Sequence, residues 1–276
     1  MNNAGIAFIG GGNMAASLIA GLIADGHSPL ELWVSEPDAV RREGLRERFA
    51  VQVIADNRDA LAHAETLVLC VKPQLAPGVC RELGDLAAGL GLLVISVMAG
   101  VPESGLQRWL GAPLPVVRAM PNTPAMVQTG AIALHASPQV TEEGRNRAET
   151  ILRAAGLVRW VDDEAQIDAV TALSGSGPAY FFLLMEALEE AGVALGLDAE
   201  TARLLTIQTA LGAARMAVES ESAPARLRAQ VTSPGGTTER ALAVFEEAGL
   251  RQVVGRALNA ARDRAVEISR TLSEQT

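Results

Sequence analysis

The sequence predicts an α/β protein whose N-terminal domain contains a doubly wound parallel sheet and whose C-terminal domain is all-α. Short apolar runs alternate with helical patterns up to about residue 162, which is typical of a parallel sheet with crossover helices. A glycine-rich turn follows the first of these runs. After residue 162 the pattern contains helices and turns but no convincing strand. We therefore expect one domain at residues 1–162 and a second at residues 163–276.

The strands of the first domain are predicted from short apolar runs that end at polar or glycine-rich loops. Helical patterns, for example at residues 38–49 and 141–155, lie between most of these runs. The predicted strands are residues 6–9, 30–35, 51–54, 66–71, 92–97, 116–119, 130–135 and 158–161.

The glycine-rich turn after the first strand fits a dinucleotide-binding fingerprint. Gly10, Gly12 and Ala15 match the pattern G-x-G-x-x-G/A, and Asn13 and Met14 lie between the second glycine and the alanine. In this pattern the first glycine makes a tight turn, the second allows backbone to approach a pyrophosphate, and the small third residue allows helix to pack on strand. We therefore predict that the first domain is a Rossmann domain that binds a nicotinamide dinucleotide.

The cofactor is expected at the loops that follow the carboxyl ends of the strands, where ligands bind in open parallel sheets. A second group of candidates therefore comes from the ends of the later strands. These candidates are Ser35, Glu36, Val71, Lys72, Pro73, Ala99, Met120, Pro121 and Asn122.

The residues after the second strand leave the choice between NADPH and NADH open. Glu36 is placed to bind a ribose 2′-hydroxyl, which would favour NADH. Ser35 with the nearby Arg41 and Arg42 could instead hold a 2′-phosphate, because a guanidinium makes bidentate contacts with phosphate. We expect NADPH, with NADH as the alternative.

The segment V-T-S-P-G-G-T-T-E-R at residues 231–240 predicts a site for a small carboxylate. Ser233 and Pro234 are typical of an N-cap and a first helical position. Gly235 and Gly236 carry no side chains that would keep a ligand from the backbone. A helix N-terminus with bare amide groups, followed by two threonine hydroxyls, suits an anion.

The composition excludes several classes of partner. The chain has 276 residues, 49% of them hydrophobic, and a net charge of −9, which argues against nucleic-acid binding. Its most apolar runs, 90–101 and 180–185, are too short to span a membrane, and no secretory signal is visible. Cys70 and Cys80 show no metal-ligand or redox spacing. We expect a cytoplasmic protein without a bound metal.

Taken together, the motifs resemble the pyrroline-5-carboxylate reductase family, over residues 5 to about 268. The segment at 231–238 is the most specific to that family. The other matching motifs are G-G-G-N-M-A at 10–15, V-K-P at 71–73, M-P-N-T-P at 120–124 and G-S-G-P-A-Y at 175–180.

The resemblance implies a fold, a reaction and several residue roles. The second domain would form a homodimer through interlocking helices, and dimers in this family often assemble into larger rings. Hydride would pass from NAD(P)H to the C=N carbon of 1-pyrroline-5-carboxylate, giving L-proline. The substrate carboxylate would lie on the amides around Gly235, Gly236 and Thr237, helped by Ser233, and Thr238 would reach the ring nitrogen. Asn57 would touch the adenosine ribose.

The motifs contain no histidine that could act as a general acid, so Thr238 or water is the expected proton donor. Two other functions remain to be weighed. A β-hydroxyacid dehydrogenase would need a lysine in the second domain, and the chain has no lysine after Lys72. A nucleotide sensor without turnover would be expected to have lost Ser233 or Thr238; it is distinguished by whether NAD(P)H oxidation requires added pyrroline-5-carboxylate.

Overall fold

The computed structural model describes residues 5–273 and contains one eight-stranded sheet. The strands are β1 (Ile6–Ile9), β2 (Leu32–Ser35), β3 (Gln52–Ile54), β4 (Thr66–Leu69), β5 (Leu93–Ser96), β6 (Val116–Met120), β7 (Gly130–Ala136) and β8 (Gly156–Trp160). All of the predicted strands are present, with small differences at their ends. Their order in the sheet is β3-β2-β1-β4-β5-β6-β7-β8.

The sheet is parallel except at one pair, so the predicted doubly wound fold is confirmed with one departure. The first six strands in chain order pair parallel among themselves, and β8 is parallel to β7, whereas β7 is antiparallel to β6. The connection between them, residues 121–129, is shorter than a parallel crossover requires, since that takes a dozen or more residues. The short connection therefore explains the antiparallel pair.

Helices cover both faces of the sheet and account for most of the described chain after β8. The helices are α1 (Asn13–Ala24), α2 (Ala39–Phe49), α3 (Asn57–Leu61), α4 (Ala76–Leu90), α5 (Glu103–Leu110), α6 (Glu142–Arg153), α7 (Gln166–Val170), α8 (Gly177–Ala194), α9 (Ala199–Glu219), α10 (Pro224–Gln230), α11 (Thr237–Glu247) and α12 (Leu250–Ser273).

The described chain forms two compact units, residues 5–176 with 260–273, and residues 177–259. The first unit has a core on each face of the sheet. Leu18 of α1 and Ile151 of α6 belong to one core, and Leu83 of α4 and Trp109 of α5 belong to the other. The expected division into domains 1–162 and 163–276 stays a prediction; its residues 1–4 and 274–276 lie outside the described part.

The second unit buries few of its side chains within a single chain. Helices α8 and α9 pack on each other, yet Phe181, Phe182 and Leu183 are more than half exposed. Burial of apolar surface is the main favourable contribution to folding. Residues 180–188 are apolar almost all round over their first turns, a pattern typical of a buried helix, yet most of them are exposed within one chain.

One helical run passes the length and composition test for a membrane span. Residues Gln166–Ala194, which include α7, a π-helical turn at Thr171–Gly175 and α8, have a mean hydropathy of 1.2 over the best window. Only 17% of that window is buried within the chain. A helix that packs against a second subunit passes the same test.

Candidate functional site

The glycine-rich turn between β1 and α1 has the geometry that a pyrophosphate needs. Gly10 adopts a φ of +96° and donates its N–H to the carbonyl oxygen of Ser35 at 2.8 Å. Gly12 is the N-cap of α1, with no side-chain cap and no protein atom within 4 Å of where a Cβ would lie. Within residues 5–273 the N–H groups of Asn13 and Met14 have no hydrogen-bond acceptor. The turn therefore offers open space and free donors at a helix N-terminus, which fits a dinucleotide pyrophosphate.

Residues at the carboxyl ends of β2 and β3 form a chain of hydrogen bonds next to the glycine-rich turn. The hydroxyl of Ser35 donates to Oδ1 of Asn57 at 2.7 Å, and Nδ2 of Asn57 donates to a carboxylate oxygen of Glu82 at 3.0 Å. Ser35 and Asn57, both predicted cofactor residues, are thus brought together. Glu36 is buried, and both oxygens of its carboxylate accept backbone N–H groups.

The loops after β4 and β5 lie at the same end of the parallel strands. Val71 is half-buried and packs beside Gly10, whereas Lys72 and Ala99 are exposed. Lys72 is the N-cap of a short 3-10 turn, Pro73–Leu75. The ε-amine of Lys72 is therefore accessible to a ligand at this edge.

The two cysteines are not suited to act as nucleophiles or metal ligands at this end of the strands. Burial raises the pKa of the Cys70 and Cys80 thiols to about 12. Both therefore remain protonated at neutral pH, and a protonated thiol is a poor nucleophile and metal ligand.

The loop after β6 is held by the side chain of Asn122. Its Oδ1 accepts the N–H of Ala131 at 2.9 Å, and its Nδ2 donates to the carbonyl oxygen of Ser174 at 3.0 Å. Pro121 and Asn122 are buried, and Met120 is half-buried. Asn122 thus fixes the loop that includes Met120 and Pro121. Both polar atoms of its side-chain amide are already hydrogen-bonded to backbone groups of the protein.

The structure contains a cluster of buried charged residues that the sequence analysis did not predict. Nη1 of Arg118 donates to Glu164 at 2.9 Å, and Nη2 lies 3.5 Å from Asp168. Glu164 also accepts the backbone N–H of Glu103, whose carboxylate lies 2.6 Å from Nδ1 of His135. Burial raises the pKa of the Glu103 carboxyl above its usual range. An arginine inside a buried strand was the available signal, because buried charges require partners.

We expect Glu164→Gln to destabilise the protein, because it removes the nearer negative charge from a guanidinium that is only 4% exposed. The loss should be about 2 kcal/mol, below the usual cost of an unpaired buried charge since Asp168 remains. Urea unfolding measures it. The control is Glu267→Gln, which breaks the exposed pair with Arg264 and should cost less than about 0.5 kcal/mol. Equal effects of the two variants would contradict the prediction.

In the second unit, residues 233–236 form a β-turn before α11. The N–H of Gly236 donates to the carbonyl oxygen of Ser233 at 3.0 Å, and Gly235 has a φ of +71°. Pro at the second position and glycine with positive φ at the third are the features of a type II turn. The prediction that Ser233 caps the helix and Pro234 begins it was wrong, because the turn delays the helix until Thr237, with Gly236 as N-cap.

The N-terminus of α11 provides fewer free amides than its sequence indicates. The N–H of Gly236 is used in the turn, and the N–H of Gly235 donates to the carboxylate of Glu239 at 2.7 Å. The N–H groups of Thr237 and Thr238 have no acceptor in the described part of the chain. Glu239 was missed, although an acidic residue at the third helical position commonly accepts a backbone N–H before the helix.

Comparisons with known proteins identify the family. A curated pyrroline-5-carboxylate reductase from Pseudomonas aeruginosa is 51% identical over 274 residues, covering 99% of this chain and 100% of the relative. The chain belongs to the pyrroline-5-carboxylate reductase family. A second relative in this family, from Vibrio alginolyticus, is 42% identical and covers 98% of the chain and 99% of its own length. The family model for pyrroline-5-carboxylate reductase dimerisation matches residues 164–268.

Solved structures agree with membership of the pyrroline-5-carboxylate reductase family. One from Coxiella burnetii superposes with a TM-score of 0.94 at 49% identity, covering 97% of this chain and 99% of that one. The Plasmodium falciparum pyrroline carboxylate reductase, solved with NADP bound, gives a TM-score of 0.85 at 27% identity and covers 98% of this chain and 99% of its own.

A second family model, described as NADP oxidoreductase coenzyme F420-dependent, matches residues 5–100. These residues contain the glycine-rich turn and the following loops. The chain is an NAD(P)H-dependent oxidoreductase, and NADP is the cofactor of its family.

Proposed function

We propose that the protein reduces 1-pyrroline-5-carboxylate to L-proline, with the substrate carboxylate bound at the start of α11. The observation that carries this proposal is the pair of unpaired N–H groups at Thr237 and Thr238, in a member of this family. Two backbone donors at a positive helix end suit one carboxylate. The unpaired hydroxyl of Ser233 adds a third donor, and the two glycines leave the turn open to a ligand.

We propose that the first unit holds the dinucleotide along the carboxyl ends of its strands. Gly10, Gly12, Asn13 and Met14 would bind the pyrophosphate through backbone N–H groups. The adenosine would lie beside Ser35, Glu36 and Asn57, at the ends of β2 and β3. The loops of Val71, Lys72, Pro73 and Ala99, with Met120, Pro121 and Asn122, would hold the nicotinamide half. The bound cofactor supplies the hydride.

The residues of α11 would supply orientation and a proton. An imine accepts a hydride readily when its nitrogen is protonated, so a donor at that nitrogen lowers the barrier. Thr238 is half-buried and its hydroxyl makes no hydrogen bond within residues 5–273, so the hydroxyl is free to hold the proton at the ring nitrogen. Residues 177–259 contain no histidine that could take this role. Fixing the carboxylate beside this hydroxyl orients the ring and reduces the entropy lost at the reaction step.

The direct test mixes the purified protein with DL-pyrroline-5-carboxylate and follows the absorbance of NADPH and of NADH separately. We expect substrate-dependent oxidation that is faster with NADPH, and proline as the product by amino-acid analysis. Folded protein that binds the dinucleotide but oxidises neither cofactor would contradict the proposal and favour a nucleotide sensor.

We expect Glu239→Gln to lower the KM for pyrroline-5-carboxylate by roughly threefold with little change in kcat. The negative charge of Glu239 lies at the same helix N-terminus as the proposed carboxylate, and a charge there contributes about 0.3–1 kcal/mol. The glutamine keeps an acceptor for the N–H of Gly235. The control is Glu247→Gln at the other end of α11, which should leave KM unchanged. A higher KM in Glu239→Gln would argue against a carboxylate at this helix.

We also propose that the protein is at least a homodimer, built on helices of the second unit. The exposed side chains of Phe181, Phe182 and Leu183 on α8, and of Leu204 and Leu211 on α9, support this, since large exposed apolar patches mark interfaces. The dimerisation family model covers both helices. Light scattering should give at least twice the mass of 28.8 kDa. A monomer at micromolar concentration would contradict the proposal.

We place the protein in the cytoplasm. The two thiols are free, and reduced cysteines are typical of that compartment. Fractionation followed by immunodetection tests the location.

A further inference from the structure

The carboxylate of Glu36 is buried, and both of its oxygens are held by the backbone. The residue follows β2 directly and is 5% exposed. One carboxylate oxygen accepts the N–H of Gly11 at 3.0 Å, and the other accepts the N–H of Asp38 at 3.0 Å. The side chain therefore links the glycine-rich turn to the start of α2.

This arrangement conflicts with the usual role of an acidic residue after the second strand. Such a residue accepts a hydrogen bond from the ribose 2′-hydroxyl and repels a 2′-phosphate. Turning the carboxylate of Glu36 outward would leave the N–H of the buried Gly11 without an acceptor and would release the N–H of Asp38, and an unpaired buried donor is unfavourable. The side chain of Glu36 also packs closely on the turn, since a Cβ on Gly11 would lie 2.6 Å from Cδ1 of Leu45 and 3.2 Å from Cβ of Glu36.

Of the two arginines near this position, only Arg41 has a free guanidinium. Arg42 donates from Nη1 to the carbonyl oxygens of Glu36 and Pro37, both at 2.7 Å, so its charge fixes the backbone of that segment. Arg41 lies in the first turns of α2 and is exposed, and its guanidinium has no partner among residues 5–273. Its backbone N–H is used by the capping carboxylate of Asp38.

We propose that Glu36 is a positioning residue that holds the glycine-rich turn, and that Arg41 sets the preference for NADPH by binding the 2′-phosphate. This inference rests on the proposed dinucleotide site. Glu36 would support binding of both cofactors equally, since the turn contacts the pyrophosphate that both share. Arg41 would distinguish them, since a guanidinium pairs with phosphate and gains little from a hydroxyl.

The test measures dissociation constants of NADP⁺ and NAD⁺ by titration of the full-length protein. In Glu36→Gln the amide NH₂ would face a backbone N–H donor, so we expect both dissociation constants to rise by a similar factor, about tenfold, with their ratio unchanged within about twofold. A ribose-binding Glu36 would give the opposite pattern, with weaker NAD⁺ binding, tighter NADP⁺ binding and a ratio changed more than about tenfold. That pattern would overturn the role of Glu36.

For Arg41→Ala we expect NADP⁺ binding to weaken about tenfold and NAD⁺ binding to change less than about twofold. The matched control is Arg48→Ala, which removes the same charge from the exposed side of the same helix and should affect neither cofactor. If Arg41→Ala weakens the binding of both cofactors equally, or weakens neither, the role of Arg41 is overturned.

Two further measurements keep the inference separate from stability and from the proposed function. If Glu36→Gln fails to fold by circular dichroism, Glu36→Asp replaces it; its shorter side chain cannot reach both N–H groups, so equal weakening of both cofactors is again expected. The wild-type protein reports on the function itself. If the wild-type protein binds neither dinucleotide, the proposed site fails. If it binds and oxidises NADPH, but the ratio of the NADP⁺ and NAD⁺ dissociation constants changes in Glu36→Gln or stays constant in Arg41→Ala, only this inference fails.

Discussion

Gly12→Ala should abolish most dinucleotide affinity while leaving the fold unchanged. The backbone of Gly12, with φ −73° and ψ −174°, is allowed for alanine, and no protein atom lies within 4 Å of the new Cβ. That Cβ would, however, occupy the space through which a pyrophosphate approaches the N-terminus of α1. We expect the dissociation constant of NADPH to rise about 100-fold, which corresponds to about 2.8 kcal/mol. Fluorescence titration measures it.

The melting temperature of Gly12→Ala should stay within about 2 °C of the wild type. Gly89→Ala is the matched control, because Gly89 also has open space around its Cβ but lies in α4, away from the glycine-rich turn. It should bind NADPH as the wild type does and be slightly more stable, by about 0.5–1 kcal/mol. Wild-type affinity in Gly12→Ala would contradict a pyrophosphate at this turn.

Thr238→Ala should lower kcat roughly 100-fold if its hydroxyl holds the proton at the substrate nitrogen. The effect should fall mainly on kcat, because the backbone N–H groups of Thr237 and Thr238 that bind the carboxylate are kept. Steady-state kinetics at saturating NADPH separates the two parameters. The alanine is compatible with the helix, so the fold should be retained.

Thr238→Ser provides the control, since it keeps the hydroxyl and removes only a methyl group. Its kcat should remain within about threefold of the wild type. If Thr238→Ala keeps kcat within threefold, water is the proton donor and the role of Thr238 is limited to its backbone.

The fold could be predicted because its signals are local in the sequence. The run 6–9 followed by Gly10 and Gly12 predicts a strand, a turn and a helix without any distant information, and the other strands show the same apolar pattern. The direction of β7 does not follow from the strand pattern, which is the same in both directions. The signal for it was the connection at 121–129, which is too short for a parallel crossover.

The sequence names candidate site residues but not their contacts. Ser35 and Asn57, both expected near the cofactor, are hydrogen-bonded to each other, and their role in binding stays a prediction. The sequence could not indicate that Glu36 turns towards Gly11, because that depends on how α2 packs against the glycine-rich turn. The same holds for the turn at Ser233, where a Ser-Pro pair fits both a helix start and a type II β-turn, and only the positive φ of Gly235 distinguishes them.

The scarcity of buried side chains in the second unit has a consequence for how the chain folds. The first unit has two cores of its own, whereas within 177–259 few side chains are buried, Ala202 among them. If the apolar faces of α8 and α9 are buried only by association, their folding is a bimolecular step. Dilution would then melt the second unit before the first, so the proposed substrate site at α11 would be lost at protein concentrations at which the first unit is still folded.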